Sequence, residues 1–159
     1  MINDQEVTSM AQLVDQSDYI LKVKNTSKKK IAGNGIVNEC EVLKTYKGKV
    51  KQTVNIYDMT YVIDQTSVGY IEGSKPLVPL REYIVFLKKS KNANVKNTYM
   101  FSSAHFGAFD VGDKNESIND YDNDSLTLKQ TYSYDYIGCD DQFVEKYQSL
   151  KKQLDYIDK

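Results

Sequence analysis

Tyr83-Ile84-Val85-Phe86-Leu87 decides how this chain folds. A strand with one wet face alternates apolar and polar side chains. Five apolar residues in a row, rich in β-branched and aromatic types, suit a strand covered on both faces. The stretch is too short for a buried helix, and Pro76 and Pro79 precede it as turn chemistry. A second stretch, Glu41-Val-Leu-Lys-Thr-Tyr-Lys-Gly48, reads as another strand running into a turn. Together they predict a small closed β-barrel.

Ser9-Met-Ala-Gln12 has the spacing of a capping box and predicts a short helix over 10–16. From Asp18 onward, Tyr19, Leu21 and Val23 alternate with Ile20, Lys22 and Lys24, as in a half-buried strand, and the lysines 28–30 read as the solvated turn that ends it. Gly33-Asn34-Gly35 allows a bend into a strand with Ile36, Cys40 and Val42 on one face and Glu39 and Glu41 on the other. Lys47-Gly48-Lys49 turns the chain again, and Val50, Val54 and Ile56 continue the inward row against Thr53, Asn55 and Tyr57. Residues 58–80 have no period and read as a connection over the barrel mouth. Tyr99–Phe101 and Phe106–Val111 are short strands, Gly107 marks a sharp bend, and 114–124 is an exposed acidic loop.

Residues 126–136 alternate clearly, which predicts a strand carrying Tyr132, Tyr134 and Tyr136 on one face. Phe143, Tyr147, Leu150, Leu154 and Ile157 then recur at helical spacing behind Asp140 and Asp141, so an amphipathic helix over 141–157 should cover the barrel wall or one open end. The expectation is one domain over 1–159, mainly β with helices: a five-stranded OB-like barrel, a short N-terminal helix and a C-terminal amphipathic helix.

Composition excludes more than it assigns. With 21 basic and 22 acidic residues interspersed, no field of one sign recruits nucleic acid. Arg81 is the sole arginine, which removes the usual reader of phosphates and guanine edges. No window approaches the roughly 18 apolar residues that span a bilayer as a helix. The 13 tyrosines against 5 phenylalanines supply rings with polar tips, suited to half-buried surfaces. Cys40 and Cys139 lie outside any zinc-ligand spacing. A bridge between them would close a loop on the order of 100 residues and contribute about 4 kcal/mol. The alternative is two small hydrophobes packed separately.

The short initial helix, the strand opening at Asp18, Val42-Leu-Lys-Thr-Tyr-Lys-Gly48 and Tyr83-Ile-Val-Phe-Leu87 resemble, over about residues 9–111, the netrin-module and tissue-inhibitor-of-metalloproteinase-like OB-fold domains. Within that group it looks especially like the small domains of lipid-anchored surface proteins of Gram-positive bacteria. Lys75–Arg81, between Gly73 and Tyr83, departs from the family spacing. The resemblance implies a five-stranded barrel with helices packed against it and an extracytoplasmic, lipid-anchored or secreted location. Inhibitors of that family chelate a protease zinc through an N-terminal cysteine. This sequence opens Met1-Ile2-Asn3 and lacks that cysteine framework, so zinc chelation of that kind is not expected.

The candidate sites are weak as chemistry. Asp120, Asp122 and Asp124 stand at alternate positions as in a calcium loop, but Ser125 replaces the required glycine and Thr131 the bidentate glutamate, so no metal is expected. Tyr132, Tyr134 and Tyr136 could stack on sugars or peptide side chains, or pack under the terminal helix. His105, the single histidine, has no nucleophile at a catalytic spacing, and no phosphate or dinucleotide loop is present, so no cofactor is expected. OB barrels commonly bind ligands on the face of their second and third strands. Here that face carries Glu39, Glu41, Thr53, Asn55 and Tyr57, and its acidic pair disfavours nucleic acid. The expected function is a non-enzymatic, monomeric binding or accessory module for a protein or peptide. The rivals are a hydrolase or transferase assembled from scattered Asp, Glu and Tyr, and a structural spacer.

Overall fold

The computed structural model describes residues 7, 9–32, 35–62, 68–70, 77–89, 97–103, 105–112, 117–119, 132–138 and 141–157. Helix α1 (Met10–Gln16) leads into strands β1 (Tyr19–Ala32), β2 (Gly35–Lys47), β3 (Thr53–Val62), β4 (Val68–Tyr70), β5 (Glu82–Lys89), β6 (Thr98–Phe101), β7 (Ala108–Asp110), β8 (Ser117–Asn119) and β9 (Tyr136–Gly138). Helix α2 (Asp141–Lys152) follows and tightens into a 3₁₀ turn over Gln153–Tyr156.

Strands pair in the order β1-β2-β3-β6-β5, and β5 returns to β1, so five strands close a barrel. Every pairing in that ring is antiparallel except β3 with β6, which run parallel. This is the mixed, OB-like barrel that the sequence predicts. One edge of β5 pairs with β1. Its other edge is shared in tandem by β6 at Leu87–Lys89 and β7 at Tyr83–Val85.

The double burial of β5 has a simple geometry. Successive side chains point to opposite faces. Tyr83, Val85 and Leu87 enter the barrel with Leu21, Val23, Cys40, Val54 and Ile56, while Ile84 and Phe86 face outward into a second core beneath the helices. That outer core holds Met10 and Leu13 of α1 and Tyr147, Leu150 and Leu154 from the C-terminal segment. Burying a side chain of the size of Phe86 stabilises by roughly 2–3 kcal/mol. Ring stacking organises the layer: Tyr147 lies 4.2 Å from Tyr136 and 5.0 Å from Phe109, nearly parallel to both.

Local chemistry sets the ends of α1. The Ser9 hydroxyl accepts from the Gln12 amide at 3.1 Å, and the Lys47 ammonium donates to the Val14 carbonyl at 3.0 Å from across the barrel wall. Gly48 turns the chain after β2 with φ +87, where a side chain would also strike the Tyr19 ring. Gly107 has a different reason. A Cβ there would sit 2.5 Å from Phe101 Cβ, on the turn whose carbonyl accepts from Phe86 N. Gly107→Ala is therefore expected to destabilise by about 2–3 kcal/mol through overpacking, read as a lower urea midpoint with unchanged slope.

Four expectations need correction. Lysines 28–30 do not end the first strand: β1 runs on to Ala32, paired with β2, after a bulge in which Thr26, Ser27 and Lys28 oppose Glu39 alone. Exposed lysines suit this stretch because it extends past the last residue paired with β5, Lys24, and so leaves the barrel body. Residues 58–80 are not wholly a connection, since β3 continues to Val62 and pairs with β4. Leu77 does plug the barrel interior, as a mouth-covering segment should. Ser117–Asn119, read as loop, pairs in parallel with β9. Finally, Tyr132, Tyr134 and Tyr136 do not share a strand: 132–133 form a turn, and β9 begins only at Tyr136.

Candidate functional site

The face of β2 and β3 predicted as a ligand surface is built by strand register. Glu39 sits opposite Asn55, Glu41 opposite Thr53 and Val37 opposite Tyr57, while the intervening Cys40, Val54 and Ile56 fill the barrel. Glu41 and Thr53 are exposed, and Glu39, Asn55 and Tyr57 are half-buried. All five predicted residues therefore lie on one outer surface.

The bulge in β1 shapes this surface. Ser27 has φ +75, a left-handed conformation that costs about 1 kcal/mol in a non-glycine residue. Side chains hold it there. The Thr26 hydroxyl donates to Glu39 Oε2 at 2.7 Å and accepts from the Lys28 amide at 3.3 Å, while the Ser27 amide donates to Asn25 Oδ1 at 3.0 Å. The result is a concavity of about 220 Å³ lined by Lys28, Lys29, Lys30, Val37, Glu39 and Asn55.

Asn25 ties this bulge to a neighbouring turn. Its buried side chain also donates to the Leu77 carbonyl at 3.1 Å, its backbone N–H donates to the Arg81 carbonyl, and its own carbonyl accepts from the Leu80 amide. The turn Val78-Pro79-Leu80-Arg81 closes with Arg81 N donating to Val78 O at 3.3 Å, with proline second and Leu80 third at φ +65, as in a type II turn. The buried Tyr83 hydroxyl accepts from Val78 N at 2.8 Å. Leu80 is left 64 % exposed, the most exposed large hydrophobic residue among those described.

Of the tyrosine series, only Tyr132 reaches this region. Its hydroxyl accepts from Lys29 Nζ at 3.3 Å and its carbonyl accepts from an Arg81 guanidinium nitrogen at 3.1 Å. Tyr134 is half-buried, and Tyr136 is buried against Tyr147. Asp120, Asp122, Asp124 and Cys139 lie outside the described residues. Among the described residues, no group of three or more His, Cys, Asp or Glu could hold a metal ion. Cys40 is a free thiol in the barrel interior. Burial pushes it up to about 12, helped by the charges of Asp58 and Glu39. His105 stacks on Phe143 at 4.4 Å in the helix-covered layer, away from that interior, so the two make no nucleophile pair.

Two further buried carboxylates, Asp110 opposite Tyr83 in register and Asp135 just before β9, lie away from this face. Asp110 pairs with Arg81 at 3.2 Å and accepts from Gly112 N at 2.7 Å, and Asp135 pairs with Lys151 at 3.0 Å. Each carboxylate is matched to a cation, which suits an internal strut. The single arginine thus works inside the fold. Burial first, then the Asp135 charge, raises the Tyr147 phenol well above its usual range and keeps it neutral.

Sequence reading missed Lys28–Lys30 and Val37 as parts of this surface, and it placed the candidate Tyr132 with Tyr134 and Tyr136 instead of beside Lys29. The run of three lysines was the available signal, but its convergence with Glu39 depends on a bulge that no residue type announces. A scan against protein-family models matches none, and a search of curated proteins returns no match. No helix among the described residues is long and apolar enough to cross a membrane.

Proposed function

We propose that this protein is a non-enzymatic binding or accessory module that holds a protein or peptide on the outer face of β2 and β3. The observation that carries this reading is the concavity in which Glu39 and Asn55 meet three lysines above Val37, on a face whose reverse side is the barrel core. Charged donors and an acceptor around an apolar floor suit a peptide, which presents both kinds of polar group. The pairing of Asp110 with Arg81 and of Asp135 with Lys151 supports the non-enzymatic side of the reading, because these carboxylates are already committed to the fold. The likeness to netrin-module domains adds an extracytoplasmic, membrane-anchored or secreted setting to the proposal.

Selection from a displayed random-peptide library tests it. Peptides enriched on the full chain should lose about tenfold in affinity for Asn55→Arg, which fills the concavity while leaving the backbone bond of residue 55 to Asn97 in place. Failure to enrich any peptide, or enrichment of peptides indifferent to the substitution, would refute the proposal.

A further inference from the structure

The concavity has a definite charge logic. Lys28, Lys29 and Lys30 all line it, although an undisturbed strand would send Lys29 to the opposite face from its neighbours. The bulge immediately before Lys29 permits this convergence. Lys29 is engaged by the Tyr132 hydroxyl, whereas Lys28 and Lys30 are exposed and make no ion pair among the described residues. Glu39, which also accepts from the Thr26 hydroxyl, is one carboxylate against three lysines, so the lining keeps a net positive charge.

Two features argue for an extended ligand. Lys28, the last residue of the bulge, and Lys30, in the strand after it, present two separate exposed ammonium groups, and alternate side chains of an extended peptide repeat at about 6–7 Å. The edge of β1 away from β2 pairs with β5 only from Tyr19 to Lys24, so beyond the bulge it offers main-chain donors and acceptors that no described strand uses. The mixed lining argues against a polyanion. Glu39 would repel a uniformly negative chain but can accept from a peptide N–H or ammonium, and Val37 offers an apolar floor.

We infer that this concavity receives an extended acidic peptide segment of a partner protein, with carboxylates at alternate positions meeting Lys28 and Lys30. The inference rests on the peptide-binding reading above and adds the chemical class of the ligand. Charge complementarity on two exposed pairs gives a modest, salt-sensitive preference.

Fluorescence anisotropy with the full chain tests it, using a short labelled peptide with aspartate at alternate positions and its asparagine counterpart. The acidic peptide should bind saturably at low salt and the asparagine form about tenfold more weakly. Lys28→Gln/Lys30→Gln should erase that difference while leaving the melting temperature unchanged, since both side chains are solvated. Equal binding of the two peptides, or an unaltered preference in the double variant, overturns the inference. So does lysine-dependent binding of inorganic polyphosphate in preference to the peptide, which would make the face a polyanion site. If the library yields face-dependent peptides that are neutral or basic, the acidic assignment falls and the peptide-binding reading stands. If it yields none, both fall.

Discussion

Lys151→Met is expected to lower the unfolding free energy by about 3 kcal/mol, because it strips the cation from an aspartate buried where α2 packs against the start of β9. The side chain of Asp135 is 1 % exposed and that of Lys151 14 %, so water can reach only the lysine end, which places the loss at the low end for broken buried pairs. Adding Asp135→Asn should recover most of it, since the uncompensated charge is then gone. Urea unfolding of both single variants and the double variant measures the coupling. A loss under about 1 kcal/mol for Lys151→Met would show that the pair behaves as a surface contact. The wider implication concerns α2, whose Tyr147, Leu150 and Lys151 all turn toward the barrel side. One charge and one apolar stripe fix its rotation together.

The second large effect is an alkaline loss of stability centred on Cys40. Its thiol is raised from an ordinary value near 9 to about 12, chiefly by burial and then by Asp58 and Glu39. Below pH 9 the folded and unfolded forms both keep the proton. As pH rises from 9 to 12 the unfolded thiol ionises while the folded one stays neutral, so each pH unit favours unfolding by up to about 1.4 kcal/mol. Across the window the total approaches about 4 kcal/mol, enough to unfold a marginally stable domain. Tyr83, pushed up mainly by burial, adds to the same trend at higher pH. Urea midpoints measured across this range should fall steeply for the native chain and less steeply for Cys40→Ala. Parallel slopes would mean that the thiol is not held in its neutral form. Because the thiolate is the nucleophile, the same property predicts that Cys40 resists thiol reagents in the folded state.

The parts of the fold legible from sequence were those in which burial leaves a local pattern. Five apolar residues at 83–87 announced a strand with two dry faces, Ser9 announced the start of α1, and the spacing from Phe143 to Ile157 announced the closing helix. The barrel itself followed from strands with inward rows at Ile36–Val42 and Val54–Ile56. What misled was pattern without burial. Lysines 28–30 look like a turn because their own side chains are exposed, and the strand's hydrogen bonds to β2 leave no trace in residue type. The alternation through Tyr132, Tyr134 and Tyr136 was equally deceptive. Tyr132 is fixed by Lys29 and Arg81, Tyr136 by stacking on Tyr147, and these are separate tasks. The β2–β3 surface could be anticipated from alternation, whereas its depth could not, since the bulge arises from contacts of Asn25 and Thr26 with distant residues.

Asn25 gives the molecule a useful division of labour. A single amide inside the barrel dictates the path of two surface segments, 26–28 and 78–81, each containing a residue that would relax elsewhere if released. The contour of the rim is thus inherited from within, while the side chains displayed on it are nearly unconstrained. Exchanges at Lys28, Lys30 or Leu80 can therefore alter the rim without renegotiating how the polypeptide closes on itself, while the position that sets its contour lies buried behind it.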